Sequence, residues 1–489
     1  MPSAELLSPP NFPRLFWPVA LSLAGLAAAA LLVGPLTAMF THDSMNYNEG
    51  WNAYHQEETI QGKGLYGAPP GLVCTNYPPI SFHLIGLASQ LTGDVNRTGR
   101  WVALLSLALV AMLCGAMVRQ FTGSAPLAVY TALSVVIWLA VYQPDRIGMN
   151  DPQLLGTVFG LLGLYLYIRE PEKLRWLCIS AVAFTVSVFT KHNLLAFPAA
   201  VGLHLLLRER WKGPLVWGGV AAGESALLLA LTRWIDGPYF AAHLLVPRAL
   251  SGGLGQVTNY LTLFQLPVAL AVVWSLRHME RSLSHIMVLA LLMAHVLAAT
   301  FAGGDGVDRN IFFDCVFGLV VVSALVFAEY APLLTGWKHC GLPLAALLVA
   351  PAFGIVIGMP QALKVEQLML RALPDRGRDF DFAVKLLKSR PGPALCEDLL
   401  ICFEAGKPFT YDAYFANSMV KVGRVKEEEL VALVENASFR TAQVDLAPDE
   451  KNLPPGKRLR FTARFVEALM KHYRLEARLS GSAVLVPNE

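Results

Sequence analysis

Apolar runs long enough to cross a bilayer recur along most of this chain, and no soluble fold accommodates them. A helix needs about 20 mostly apolar residues to cross a hydrocarbon core of roughly 30 Å. Such runs occupy residues 15–40, 99–118, 124–142, 152–168, 174–190, 193–207, 215–235, 259–276, 283–302, 310–328 and 341–360, two of them shorter than ideal. Only 15% of the 489 residues are charged, against about a quarter in soluble domains. The first run exceeds a signal-peptide core and lacks a small-x-small cleavage site, so it reads as an uncleaved signal anchor. A net charge of +3, scattered along the chain, gives no reason to expect nucleic acid as a partner. The expected fold is a polytopic α-helical membrane protein of about eleven spans over residues 1–360. A small C-terminal α/β domain follows over residues 361–489.

Loop charges suggest an orientation, because Lys and Arg concentrate in cytoplasmic loops. With the N-terminus inside, the inner connections hold Arg119, then Arg169, Lys173 and Arg175, then Arg208, Arg210 and Lys212. Arg277, Arg281 and Lys338 complete that set. An odd number of spans then puts the C-terminal domain outside the cytoplasm. Ile80–Leu91 is apolar but too short to span, and reads as a helix lying in or re-entering the interface. Beyond residue 360, helical spacing over Asp379–Leu387 and Lys426–Val434 alternates with short strand-like runs. The strand-like runs are Ala394–Cys396, Phe409–Tyr411, Ala442–Leu446 and Ala483–Val486. Cys396 and Cys402 admit a disulfide on the oxidising side. Cys114, Cys178 and Cys315 lie inside apolar runs as small hydrophobes.

The outer loops carry polar residues that anchoring does not require. The first runs from Thr41 to His55 and includes Asp43, Asn48, Glu49 and Trp51; farther along come Asn76, Tyr77, Pro78 and Pro79. The second holds Asp145, Arg146, Asn150 and Asp151, the third Thr190, Lys191 and His192, and the fifth Asp305, Asp308 and Arg309. Carboxylates beside cations at one mouth of a bundle form a candidate site. Plainer readings stand beside this one. Asp151 before Pro152 has the Ncap–N1 pattern, and Lys191 at a span end suits snorkelling. His42, His55 and His192 read as polar lining rather than metal ligands, and Gly156 with Gly160 as a helix-packing face.

Together these segments resemble the GT-C class of membrane glycosyltransferases, in particular the protein O-mannosyltransferase, lipid A aminoarabinose transferase and Rgt-type group. The group's acidic pair early in the first outer loop is matched by Asn48-Glu49, with Gly50 and Trp51 following. Its Pro-Pro pair opening an amphipathic helix is matched by Asn76-Tyr77-Pro78-Pro79-Ile80, and its span-opening arginine by Arg100. Arg146 through Asp151-Pro152 and Thr190-Lys191 match two further motifs. The resemblance implies a polyprenyl-phosphate-linked sugar as donor, entering from within the bilayer. It further implies an acceptor hydroxyl on a glycan, lipid or protein, inversion at the sugar carbon, and a bacterial inner or plasma membrane with the site outside. A carboxylate takes the acceptor proton: Glu49 first, then Asp151, then Asp43. Lys191, Arg146 and Arg100 stabilise the departing phosphate, and Asn76, Tyr77, Asn48, Trp51 and Arg309 complete the substrate-binding set. No metal site and no resident cofactor is expected, although relatives differ and a divalent cation stays open. One departure matters: the first member of the acidic pair is Asn48, so either Glu49 serves alone or Asp43 takes the role.

Two other classes compete. A transporter or flippase would need ionisable groups near mid-membrane, where Glu224 is the main one, without an assigned role. A non-catalytic assembly subunit would keep the fold and lose the pair at Asn48.

Overall fold

The computed structural model describes residues 14–208, 211–250, 253–278, 282–335, 342–445 and 460–488. Arg210, Arg281, Lys338 and Leu446 lie outside the described residues, as does the first position of the run 341–360. Fourteen helices come first: α1 (Phe16–Met39), α2 (Asn48–Ile60), α3 (Ile80–Thr92), α4 (Val95–Thr122), α5 (Ala125–Tyr142), α6 (Pro152–Arg169) and α7 (Leu174–Thr190), then α8 (Ala196–Leu207), α9 (Lys212–Ile235), α10 (Phe240–Leu244), α11 (Leu254–His278), α12 (Ser282–Phe301), α13 (Phe313–Thr335) and α14 (Leu342–Lys388). Every expected span falls on one of them. Six candidate spans, beginning at Phe16, Val95, Ala125, Lys212, Leu254 and Arg309, are long and apolar enough to cross a membrane by length and composition.

Local chemistry sets the helix ends. Asp94, Ser124 and Asp151 each accept a backbone N–H of the first turn of the helix that follows, which satisfies donors the helix cannot pair internally. The bundle packs through small residues, as membrane helices do without a hydrophobic drive between them. The Ser187 and Ser180 hydroxyls of α7 donate to the Gly156 and Gly163 carbonyls of α6 at 2.8 and 2.9 Å. A Cβ on Gly156 would lie 2.4 Å from the Leu194 side chain. The interfacial reading of Ile80–Leu91 has a counterpart in α3, which exposes Leu87 and Leu91 and is tied through His83 to Asp236 at 2.9 Å.

α14 is 47 residues long and runs unbroken through the expected boundary at residue 360. It delivers the chain to a four-stranded sheet of β1 (Ala394–Cys396), β2 (Thr441–Asp445), β3 (Tyr473–Arg478) and β4 (Ser482–Pro487). The strand order is β1-β2-β4-β3, with only the β1–β2 pair parallel. Helices α15 (Leu399–Glu404), α16 (Ala413–Lys421), α17 (Glu427–Glu435) and α18 (Ala463–His472) complete the domain. One strand expectation needs correction, and one strand was not expected. Phe409–Tyr411 forms no strand: Thr410 N–H turns back to the Pro408 carbonyl, and Phe409 stacks on Tyr54 of α2 at 4.6 Å. β3 escapes the pattern because it is an edge strand exposing Arg474, Leu475 and Glu476, so its apolar alternation is weak. Cys396 and Cys402 are joined by a disulfide.

Candidate active site

The outer-loop segments converge at the end of the bundle that meets the C-terminal domain. Arg100, on the first turns of α4, is 2% exposed. Its Nε and Nη2 donate to the two oxygens of Glu49 at 2.9 and 2.7 Å. The remaining guanidinium donors reach the carbonyls of Met39, Thr41 and Asp43. Glu49 is wholly buried, and its oxygens also accept the backbone N–H groups of Asn150 and Met45 at 3.0 and 2.7 Å. Four donors thus surround one carboxylate, and no lone pair is left for a substrate proton.

A second centre joins three loops. Asp151, besides capping α6, accepts from Arg146 Nη1 at 2.8 Å and Lys191 Nζ at 3.2 Å. Burial alone would raise its pKa, but Lys191 and Arg146 together hold it below the ordinary carboxylate value. Arg146 Nη2 also donates to Asp308 Oδ2 at 2.6 Å. Burial would likewise raise the Asp308 carboxyl, and Arg146 with its hydrogen bonds brings it below the usual range. Lys191 is buried, with its ammonium 4.7 Å from the centre of the Tyr77 ring. It therefore does not snorkel, and its ammonium makes one hydrogen bond among the described residues, to Asp151. Asn46 links the centres through Asp145 at 3.0 Å.

Asp43 is different. It is 4% exposed, and neither carboxylate oxygen accepts a hydrogen bond among the described residues. Arg376 Nη2, from α14, lies 2.9 Å from Asp43 Oδ2 but directs its N–H at the Ser44 carbonyl, 2.7 Å away.

The other expected residues divide. Tyr77 joins the second centre through Lys191. Trp51 is 7% exposed, donates to the Cys74 carbonyl and packs on Tyr77, His55 and Phe82, so it has no open face for a sugar. Asn48 and Asn76 are half-buried, and their side chains make no hydrogen bond among the described residues. Arg309 is exposed, with its backbone N–H donating to Asp308. No motif singles out Arg248. Its charge helps burial, together with Lys191, to push the His192 imidazole down to about 4, so His192 is neutral at pH 7. Tyr414 of α16 was also missed; its hydroxyl is buried without a partner and sits where a Cβ on Gly306 would be.

Among the described residues, no group of three His, Cys, Asp or Glu side chains is arranged to hold a metal ion. Asp151 and Asp308 are already engaged by cationic side chains, so these two carboxylates are not free for a divalent cation.

Residues 76–235, about a third of the chain, match the family model described as dolichyl-phosphate-mannose-protein mannosyltransferase. The whole chain is similar in structure to ArnT from Cupriavidus metallidurans in the apo state: TM-score 0.60, 15% identity, 96% of this chain and 98% of that one. The same protein bound to undecaprenyl phosphate gives TM-score 0.60, 14% identity and coverages of 97% and 98%. The archaeal oligosaccharyltransferase AglB from Archaeoglobus fulgidus, in complex with an inhibitory peptide and a dolichol-phosphate, gives TM-score 0.50 at 13% identity. That similarity covers 88% of this chain and 69% of AglB. A search of curated protein sequences returns no match. The chain thus shares the fold of these membrane glycosyltransferases, and residues 76–235 match a mannosyltransferase family model.

Proposed function

We propose that this protein transfers a sugar from a polyprenyl-phosphate donor to an acceptor hydroxyl, on the extracytoplasmic side of the membrane. The observation that carries the reading is a buried carboxylate, Asp43, that accepts no hydrogen bond among the described residues and is met only by the half-exposed Arg376, on the same loop cluster as a buried lysine with donors to spare, Lys191. In the proposed step the acceptor oxygen bonds to the anomeric carbon as the carbon–oxygen bond to phosphate breaks. The hydroxyl proton passes to Asp43, and the polyprenyl phosphate leaves with the bonding pair. Lys191, with Arg248 and the exposed Arg309, supplies positive charge to the departing phosphate, while Arg146 fixes Asp151. Glu49, as the partner of Arg100, shapes the loop instead of taking the proton.

Bound undecaprenyl phosphate in ArnT and dolichol-phosphate in AglB support a polyprenyl donor. The Lys/Arg bias of the opposite loops and the Cys396–Cys402 disulfide support an oxidising, extracytoplasmic location for this end. The acceptor is a glycan, lipid or protein hydroxyl of the cell envelope, lipopolysaccharide among them. Mass spectrometry of lipids co-purifying with the protein tests the donor. A polyprenyl phosphate or its sugar adduct is expected; only bulk phospholipid, with no binding of added polyprenyl phosphate, would remove this reading.

A further inference from the structure

The disulfide-closed turn 396–402 is one part of the C-terminal domain that reaches the proposed catalytic loop; Asp412, Tyr414 and Arg460 meet the same loop at Tyr47. β1 ends at Cys396, α15 begins at Leu399, and the Cys396–Cys402 bond closes the turn between them. Inside it, Asp398 caps α15 by accepting from Leu400 N–H at 3.1 Å, and its other oxygen accepts from the Ser44 hydroxyl. The Asp398 backbone N–H is held in turn by Gln443 Oε1 of β2 at 2.8 Å. The next two residues lie on Gly50. A Cβ there would come 2.1 Å from Leu400 N and 2.3 Å from the Leu399 carbonyl carbon, a separation only glycine permits. Ser44 directly follows Asp43, and Gly50 directly follows Glu49. One covalently closed turn therefore grips the loop at both ends, with Leu399, Leu400, Cys396 and Cys402 all buried in the contact.

We propose that Asp398 is a positioning residue for Asp43, and that the Cys396–Cys402 disulfide holds it in place, so that reduction releases the loop. The inference rests on the reading of Asp43 as proton acceptor. Reduction consumes one dithiol: its two electrons break the S–S bond, Cys396 and Cys402 become thiols, and the dithiol becomes a disulfide.

Hydrogen–deuterium exchange on the full chain in detergent tests the grip without any activity assay. Treatment with a dithiol, followed on the 396–402 peptide by mass spectrometry, should speed exchange over residues 41–50. The expected change is on the order of tenfold, what one lost hydrogen bond allows, with α6 and α7 unchanged. Cys396→Ser/Cys402→Ser should do the same. Asp398→Asn, which keeps the disulfide, should loosen 41–50 while the rest of the C-terminal domain stays protected, and it decides the matter if reduction unfolds that domain. In transfer assays Asp398→Asn should lower kcat with little change in KM. Ser44→Ala combined with Asp398→Asn should be no worse than the poorer single variant, since both remove one contact. Unchanged exchange over 41–50 in Asp398→Asn would overturn the inference. Looser exchange with no transfer by any variant or by the parent would instead fault the proposed function.

Discussion

Glu49 and Asp43 lie six residues apart on one loop, and the fold treats them in opposite ways. Glu49 receives an arginine fork and two backbone amides, whereas Asp43, also buried, receives no hydrogen bond among the described residues and is met only by the Arg376 guanidinium at 2.9 Å. A buried charge that is fully paired is a structural element, because removing one partner strands the other. A buried acceptor left open costs stability unless something else comes to meet it. On the proposed reading, the difference separates a carboxylate that builds the site from one available for chemistry, and it ranks Asp43 ahead of Glu49, the first choice of the sequence motif. Asn48, the departure from the family's pair, then needs no direct replacement, because Asp43 lies on the same short loop.

The sharpest way to break this comparison is Asp43→Asn. It should leave expression and thermal unfolding near normal and lower sugar transfer by about 10²–10⁴, the usual range for a lost general base. Near-normal turnover at matched folded protein would end its candidacy.

Glu49→Gln makes the complementary case. Arg100 would then be buried against a neutral partner, so about 3–5 kcal/mol of stability should be lost, visible as poor recovery of folded protein and a lowered unfolding midpoint. If Glu49→Gln folds normally and loses only turnover, the two carboxylates exchange roles.

Lys191→Ala sharpens the comparison from the side of the leaving group. A cation aimed at developing negative charge is worth about 10²–10³ in kcat, and the variant should bind polyprenyl phosphate more weakly. A lysine that only anchors its helix would leave both values unchanged.

The sequence made the bundle legible because length and hydropathy alone decide a span, and the loop motifs named Glu49, Arg100, Arg146, Asp151 and Lys191 before their contacts were visible. It could not rank the carboxylates, because saturation of Glu49 depends on Met45 and Asn150 backbone amides, which no side-chain pattern encodes. Trp51, expected in the substrate-binding set, is enclosed by Cys74, Tyr77 and Phe82, contacts its sequence neighbours do not announce. Arg376 and Asp398, more than 300 residues from the loop they touch, carried no local signal. A single helix joining bundle and C-terminal domain was hidden because composition changes along it while its backbone does not.

The smallest expected effect tests the contact between the two regions. Burial pushes the Asp398 carboxyl up to about 6, against the lowering pull of the Ser44 hydroxyl and with Asp445 adding to the rise. A carboxyl raised on folding binds its proton more tightly in the folded state. Its stabilising contribution is therefore complete below about pH 4 and is lost as pH rises through about 6. Asp398→Asn removes this titration while keeping the side-chain shape. The unfolding midpoint of the parent, measured in detergent with the disulfide intact, should accordingly gain on that of Asp398→Asn as pH falls from 7 to 4. A constant difference across that window would mean that the carboxyl is not desolvated. The grip of the C-terminal domain on Ser44 would then be looser than its geometry indicates, and Asp43 would owe its position to Arg376 and to the contacts at Tyr47.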